Sequence, residues 1–217
     1  MLLARAAKSP RVVKWLLVLS LSGVAGAAET AEQIFARARA LNPTLKDYTC
    51  SIAIQLKARL GFVPYNPALS GMYYYKKPDR HKLELKKAPS YLKKYPQVFG
   101  FNLPDLKRYR AVRVQSTQLN KMPVYKIILV PRSPGNDITS VEVYVHRQLY
   151  IVPKYDTFYK QGHLLVDIDF AREKSFWVYR SMKADFEFPS VRATAAARYS
   201  GYRFNQKLPD SLFEVPR

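Results

Sequence analysis

The chain has 217 residues, 48% of them hydrophobic, and carries 36 Lys and Arg against 16 Asp and Glu, a formal net charge of +20. A single cysteine, Cys50, excludes an intrachain disulfide bond. The hydrophobic content is that of a globular protein, and the positive charge indicates either an anionic partner or a role in solubility alone.

The first 27 residues have the pattern of a secretory signal peptide. Basic residues precede an apolar run and a stretch of small residues: Arg5, Lys8, Arg11 and Lys14, then Trp15 to Val24, then Ala25-Gly26-Ala27. The apolar run is shorter than the roughly 20 residues that span a bilayer, so we expect cleavage near Ala27/Ala28 and a periplasmic location. Export makes ATP-driven mechanisms and nucleic-acid partners unexpected. Without the four basic leader residues the net charge is +16, which favours an anionic membrane surface as a transient partner.

Residues 28–217 are of a size that suits one domain, and we expect this domain to open with a short helix. Thr30 is a candidate N-cap with Gln33 three residues later. Apolar residues then follow at helical spacing: Ala31, Ile34, Phe35, Ala38 and Leu41. Asn42-Pro43 ends the helix.

Alternation of apolar and polar residues then predicts strands, most clearly from Ser51 to Leu60. The connector Gly61 to Pro67 is rich in turn residues, and a break follows at Lys77-Pro78-Asp79. Further extended runs are Ser70 to Lys76, His81 to Leu85, Tyr109 to Ser116, Val124 to Val130, Ser140 to Val145, Gln148 to Val152, His163 to Phe170, Phe176 to Met182, Ala184 to Phe188 and Thr194 to Phe204. The pattern predicts a mainly β (α+β) protein with a large, curved antiparallel sheet.

The segment from Ala88 to Arg110 interrupts this rhythm with Pro89, Pro96 and Pro104, which are incompatible with a central strand. Its aromatic residues stand among lysines and arginines and are typical of a lid or a membrane-contact loop: Tyr91, Tyr95, Phe99 and Phe101. The alternative is that these aromatic side chains pack on the body of the protein.

The chain resembles the LolA-type periplasmic carriers, also called outer-membrane lipoprotein-sorting proteins. The matching features are the leader, the helix running through Leu45-Lys46-Asp47-Tyr48-Thr49-Cys50 into a long strand, the segment Leu69 to Arg80, and the closing segment Tyr202 to Pro216. The resemblance implies an incomplete barrel that is partly closed by helices and shields acyl chains during transfer between membranes. It also implies a membrane-protein donor or acceptor as a partner. In the family an arginine after the Lys-Pro break helps to hold the lid, and Lys82 takes the equivalent place here.

A curved sheet presents its inward apolar side chains to an interior that an acyl chain can fill. Strand parity gives the candidate wall: Ile52, Ile54, Leu56, Met72, Tyr74, Leu83, Leu85, Val141, Val143, Val145, Leu164, Val166 and Ile168, with Phe35 of the helix closing one end. For each residue taken singly, ordinary core packing is the alternative. Four basic residues near the mouth are candidates for contacts with a headgroup or a partner: Lys76, Lys77, Arg80 and Lys82.

Two other classes of function remain open. Asp167 and Asp169 lie two apart on one strand and could take the acid and base roles of a hydrolase, but we favour a solvated outer face for them and expect no enzyme activity. The same sheet would also suit a lipid-sensing regulatory protein of the cell envelope. His81, His146 and His163 have no metal-ligand spacing, and no cofactor is expected.

Overall fold

A computed structural model of the protein describes residues 29–60, 63–86, 99–133, 135, 137–189 and 191–214. In these residues a single α-helix, α1 (Ala31–Arg39), precedes the strands, and a short 3-10 helix (Asp210–Phe213) follows them. The strands are β1 (Asp47–Leu60), β2 (Val63–Tyr65), β3 (Ala68–Lys76), β4 (Arg80–Leu85), β5 (Tyr109–Leu119), β6 (Met122–Pro131), β7 (Ile138–His146), β8 (Lys154–Tyr159), β9 (Gly162–Glu173), β10 (Phe176–Phe188) and β11 (Val191–Phe204). No helix of the described part of the chain is both long and apolar enough to cross a membrane.

All the strands belong to one antiparallel sheet in the order β4-β3-β1-β11-β10-β9-β8-β7-β6-β5, with β2 paired to β1. Within the described ranges, β4 and β5 are the two ends of this path, so the sheet is not closed into a barrel. The predicted mainly β class, the large antiparallel sheet and the incomplete barrel are therefore confirmed.

The helix α1 forms where its end signals predict. The Gln33 backbone N–H donates to Thr30 Oγ1 at 3.3 Å, and the Thr30 backbone N–H donates to Gln33 Oε1 at 2.9 Å, which completes a capping box. The helix ends at Arg39, two residues before the predicted Leu41. Its buried face, Ala31, Ile34 and Phe35, packs on apolar side chains of β6 and β7.

The buried side chains form two clusters on the inner face of the sheet. The smaller cluster lies beneath α1 and includes Ile127, Leu129 and Val143. The larger cluster is built mainly on β1, β3, β9, β10 and β11 and includes the fully buried Tyr73 and Phe99. Because Phe99 comes from the loop before β5, this loop contributes to the core and does not only cover it.

Four segments differ from the strand predictions. Gln148 to Val152 is a turn and a loop, because Tyr150 has a φ of 54°, in the left-handed region that a strand does not use. The run from Phe176 to Phe188 is one strand rather than two, and β8 was not predicted. The predicted connector contains the short strand β2.

Candidate functional site

An open cavity of about 680 Å³ lies at one end of the sheet, and we call it the end cavity. It is bounded by the C-terminal end of α1 with the loop that follows, the β3–β4 turn, residues 101–105, residues 150–152 and the start of β10. Its apolar and aromatic lining consists of Ala38, Leu41, Leu45, Tyr48, Tyr75, Pro78, Phe101, Leu103, Tyr150, Ile151, Val152, Phe170, Trp177, Val178 and Tyr179. A cavity of this size is within the range of small-molecule sites.

Several aromatic rings of this lining pack against other aromatic rings. The ring centroids of Tyr48 and Tyr75 are 5.0 Å apart, and those of Phe170 and Tyr179 are 5.4 Å apart. Phe101 stacks on the buried Tyr155 with its ring centroid 4.4 Å away. Such contacts are favourable at these separations, so the wall of the end cavity is built of rigid side chains.

Residues 99–105, which we call the strap, cross the inner face of the sheet beside the end cavity. The buried Tyr199 hydroxyl donates to the Phe99 carbonyl at 2.7 Å, and the Tyr179 hydroxyl donates to the Phe101 carbonyl at 3.4 Å. On the helix side, Arg39 Nη2 donates to the Pro104 carbonyl at 3.2 Å. The strap is therefore attached to both the sheet and α1 through its backbone oxygens.

A glycine allows the strap to approach β4 and β3 closely. A Cβ at Gly100 would lie 2.5 Å from the Tyr73 hydroxyl oxygen and 2.7 Å from His81 Nδ1, closer than non-bonded atoms allow. The Asn102 amide nitrogen donates to the Asp79 carbonyl at 3.0 Å, which turns Asn102 Oδ1 towards His81 Nε2. Oδ1 only accepts, so Nε2 carries the proton and the Tyr73 hydroxyl donates to Nδ1. Burial lowers the pKa of His81 and favours this neutral form.

The rim of the end cavity is polar, and its charges balance. Lys77 Nζ donates to the Asn42 carbonyl at 2.7 Å, and burial lowers the pKa of this lysine. Arg39 is the second cation on the rim, and Asp79 and Asp105 are its two anions. The rim therefore offers polar contacts without a strong net charge of either sign.

Asn42 joins the helix end to the start of β10. Its amide nitrogen donates to the Trp177 carbonyl at 2.7 Å, and the Trp177 backbone N–H donates to Asn42 Oδ1 at 2.8 Å. Asn42 has a φ of 58°, a conformation that asparagine tolerates better than most residues. These two hydrogen bonds hold one side of the end cavity together.

The sequence matches no protein-family model, and no curated protein resembles it significantly. Solved structures do match. An outer membrane lipoprotein-sorting protein domain from Vibrio parahaemolyticus superposes with a TM-score of 0.58 at 9% identity over 83% of this chain and 94% of that chain. A LolA superfamily protein from Nitrosomonas europaea superposes with a TM-score of 0.58 at 12% identity over 87% of this chain and 99% of that chain. For a DUF1329 family protein from Desulfovibrio piger the TM-score is 0.53 at 11% identity, over 83% of this chain and 94% of that chain.

The chain has a LolA-like fold. At identities this low the likeness concerns the fold alone.

Most of the predicted wall residues lie behind the end cavity in the core of the LolA-like fold. Ile52, Ile54, Leu56, Leu83, Leu85, Leu164, Val166 and Ile168 belong to or pack against the larger cluster, and Phe35, Val141, Val143 and Val145 belong to the smaller one. None of these residues lines the end cavity. Their contact with a lipid therefore stays a prediction.

Two predicted wall residues, Met72 and Tyr74, face the outer side of the sheet and not its interior. Met72 pairs with the exposed Ser51, and Tyr74 donates a hydrogen bond from its hydroxyl to Glu84 Oε2 at 3.0 Å on the outer face. The inward residues of β3 are Tyr73 and Tyr75, which contact the larger cluster. The parity assigned to Met72 and Tyr74 was wrong, because apolar or aromatic residues occupy both alternating sets in this strand.

The predicted lid residues divide into three groups. Tyr91 and Tyr95 lie outside the described residues. Phe99 is only 2% exposed and packs in the larger cluster, as the alternative of packing on the body predicts. Phe101 lines the end cavity.

The four basic residues proposed for headgroup contacts have protein partners. Lys76 and Arg80 both form ion pairs with Asp210, and Arg80 Nη1 is 2.8 Å from its Oδ1. Lys82 Nζ is 2.8 Å from Glu84 Oε1. Only Lys77 lines the end cavity.

The carboxylates considered for hydrolysis stand on the outer face of β9. Asp167 and Asp169 are exposed, and Asp169 Oδ2 is 3.5 Å from Arg180 Nη1. Asp167 is paired in register with Lys154 and Lys183 on the neighbouring strands. Both positions are those of charged residues on a solvated sheet face, which is the alternative that the sequence left open.

Two other side chains with reactive groups, Cys50 and His163, lie outside the end cavity. Burial raises the pKa of Cys50 to about 12, so its thiol stays protonated at neutral pH. His163 contacts Asp156 and Glu187 on the outer face, at 3.3 Å and 3.1 Å. Across the described residues, no group of three or more His, Cys, Asp or Glu side chains is arranged to hold a metal ion.

The residues that line the end cavity were largely missed from the sequence. Leu41 and Leu45 flank the turn after α1, Leu103 is in the strap, and Trp177 and Val178 begin β10. These positions are distant in sequence and belong to different elements. Among the sequence candidates, Phe101 and Lys77 line the end cavity, and their roles in a lid and in headgroup contact stay predictions.

Proposed function

We propose that the protein is an exported carrier that shields a lipid acyl chain in the end cavity during transfer between membranes. The observation that carries this proposal is an open cavity of about 680 Å³, lined largely by apolar and aromatic residues, at one end of an incomplete barrel. The LolA-like fold supports it, since two of the matching structures are described as a lipoprotein-sorting protein domain and a LolA superfamily protein.

The energetics suit a carrier. Burial of each methylene contributes about 0.8 kcal/mol, so a chain of about 16 carbons gains on the order of 12 kcal/mol before costs. Ordering of the ligand and the loss of its free motion oppose this gain by several kcal/mol. A carrier needs such a balance because it must hold the chain against water and still release it to an acceptor.

We propose the periplasm as the location, on the basis of the signal-peptide pattern in residues 1–27, which lie outside the described residues. Delivery would then involve a membrane-protein donor or acceptor and transient contact with anionic membrane surfaces. The net charge of +16 that remains without the leader supports the contact with anionic membrane surfaces.

Native mass spectrometry of the purified protein tests the proposal. We expect a population heavier than the polypeptide, and organic extraction should release a lipid that accounts for the added mass. A protein that carries no lipid after isolation, and takes none from vesicles of phosphatidylethanolamine and phosphatidylglycerol, would contradict it.

A further inference from the structure

The volume of the end cavity limits how much hydrocarbon it holds. A methylene group is about the size of a water molecule, which takes about 30 Å³ in the liquid, so a chain of about 16 carbons occupies on the order of 480 Å³ and two chains about 960 Å³. The end cavity has about 680 Å³. One such chain takes up most of this volume, with space left for the first atoms of a headgroup, whereas two chains would exceed it and leave hydrocarbon exposed at the opening.

The rest of the concave face offers no second channel in the described residues, because side chains already fill it. Phe99 is 2% exposed, and the neighbouring Tyr73 and Tyr199 are 0% and 6% exposed. The hydrogen bond from Tyr199 to the Phe99 carbonyl holds this filling in place. A second chain would have to displace buried aromatic rings, at the cost of their packing.

The neighbouring groove does not extend the apolar space. It has about 620 Å³, but its lining is polar apart from Leu106 and includes Glu32, Lys107 and Arg132. It shares Arg39 and Asp105 with the rim of the end cavity, so a charged boundary separates the two spaces. Hydrocarbon that entered this groove would desolvate charged groups without pairing them.

The rim indicates which headgroup would accompany the chain. Arg39 and Lys77 balance Asp79 and Asp105, so the rim carries no net charge. A headgroup with both a cationic and an anionic group finds a partner for each, whereas a strongly anionic headgroup meets two carboxylates.

We infer that the cargo of the end cavity is a lipid with one acyl chain and a zwitterionic headgroup, such as a lysophospholipid, rather than a lipid or lipoprotein with two or three chains. This inference rests on the proposed carrier function and narrows it to a substrate class. Phe101 sets the limit on chain number, because its ring lies between the end cavity and Tyr155.

The test compares ligands that differ in chain number. Palmitoyl lysophosphatidylethanolamine, dipalmitoyl phosphatidylethanolamine and a tripalmitoyl lipopeptide are titrated against the delipidated protein, with binding followed by native mass spectrometry. We expect a one-to-one complex with the single-chain lipid and affinity at least about tenfold weaker for the other two. In Phe101→Ala, which enlarges the cavity, the difference in affinity between the single-chain and the two-chain lipid should become smaller. Leu149→Ala changes an exposed leucine outside the cavity lining, and here the difference in affinity should stay the same.

The outcomes separate the inference from the function on which it rests. Equal or tighter binding of the two-chain or three-chain ligand overturns the inference and leaves the carrier function in place. Failure of all three ligands to bind overturns the carrier function itself. If Phe101→Ala does not fold, the ligand series with the wild-type protein still decides the question.

Discussion

At the scale of single residues, His81 connects pH to the attachment of the strap. Burial lowers the pKa of His81 in the folded protein, whereas in the unfolded chain the pKa of this histidine stays at about 6.5. The unfolded state therefore binds a proton first as the pH falls, and the wild-type protein should lose stability below about pH 6.5. In His81→Gln the difference in unfolding free energy between pH 7.5 and pH 5.5, measured with urea, should be smaller than in the wild type.

His163 provides a control of opposite sign. Its hydrogen bond to Glu187 raises the pKa of His163, so its stabilising contribution is complete at acid pH and is lost as the pH rises through the raised value. His163→Gln should therefore increase the loss of stability on acidification. The same pH dependence in the wild type and in His81→Gln would show that His81 is not a source of it.

The variant Tyr199→Phe tests how much the hydrogen bond from Tyr199 to the strap stabilises the protein. Tyr199→Phe removes the hydroxyl that donates to the Phe99 carbonyl at 2.7 Å and leaves that carbonyl without its partner in a buried place. We expect the free energy of unfolding to fall by about 1–3 kcal/mol, and amide hydrogen exchange in residues 99–105 to become faster. Tyr109→Phe is the matched control, since the Tyr109 hydroxyl makes no hydrogen bond to the described residues, and an equal loss there would contradict the account.

At the scale of elements, α1 is the part of the fold that covers the β6–β7 half of the sheet. Phe35 is fully buried between α1 and this half, so Phe35→Ala should lower the free energy of unfolding by about 3–5 kcal/mol. Val114→Ala, at an exposed position of β5, should change it by less than about 0.5 kcal/mol. Urea denaturation measures both, and a loss of less than about 1 kcal/mol in Phe35→Ala would mean that α1 is not a structural part of the core.

The strands also show where a sequence pattern is sufficient to predict an element and its buried face. β1 was predicted because Ile52, Ile54 and Leu56 alternate with polar or small residues, and the register confirms the buried face. β3 was oriented wrongly, because Met72 to Tyr75 has no polar residue to mark the outer face. β8 was not predicted, because the polar Asp156 of this strand is buried beside His163 on the outer face. A strand of this kind shows no period of hydrophobic residues in the sequence.

At the scale of the whole molecule, the sheet was predictable and the end cavity was not. Most strands carry their own alternation of apolar and polar residues, so most of the sheet follows from local patterns. The cavity depends on how Leu45, Leu103 and Trp177, which come from three distant parts of the chain, are brought together by the strap and the turn after α1. No periodicity within one element contains that information.

The proposed function requires that the end cavity, rather than the filled interior of the sheet, holds the lipid. The most direct test is a paired measurement of lipid uptake from vesicles by Leu103→Trp, which places a larger side chain in the cavity lining, and Leu149→Trp, which adds the same bulk at an exposed position outside it. We expect Leu103→Trp to lose at least about tenfold in affinity for a palmitoyl chain, equivalent to about 1.4 kcal/mol, and Leu149→Trp to bind as the wild type does. Unchanged uptake by a correctly folded Leu103→Trp protein would contradict it.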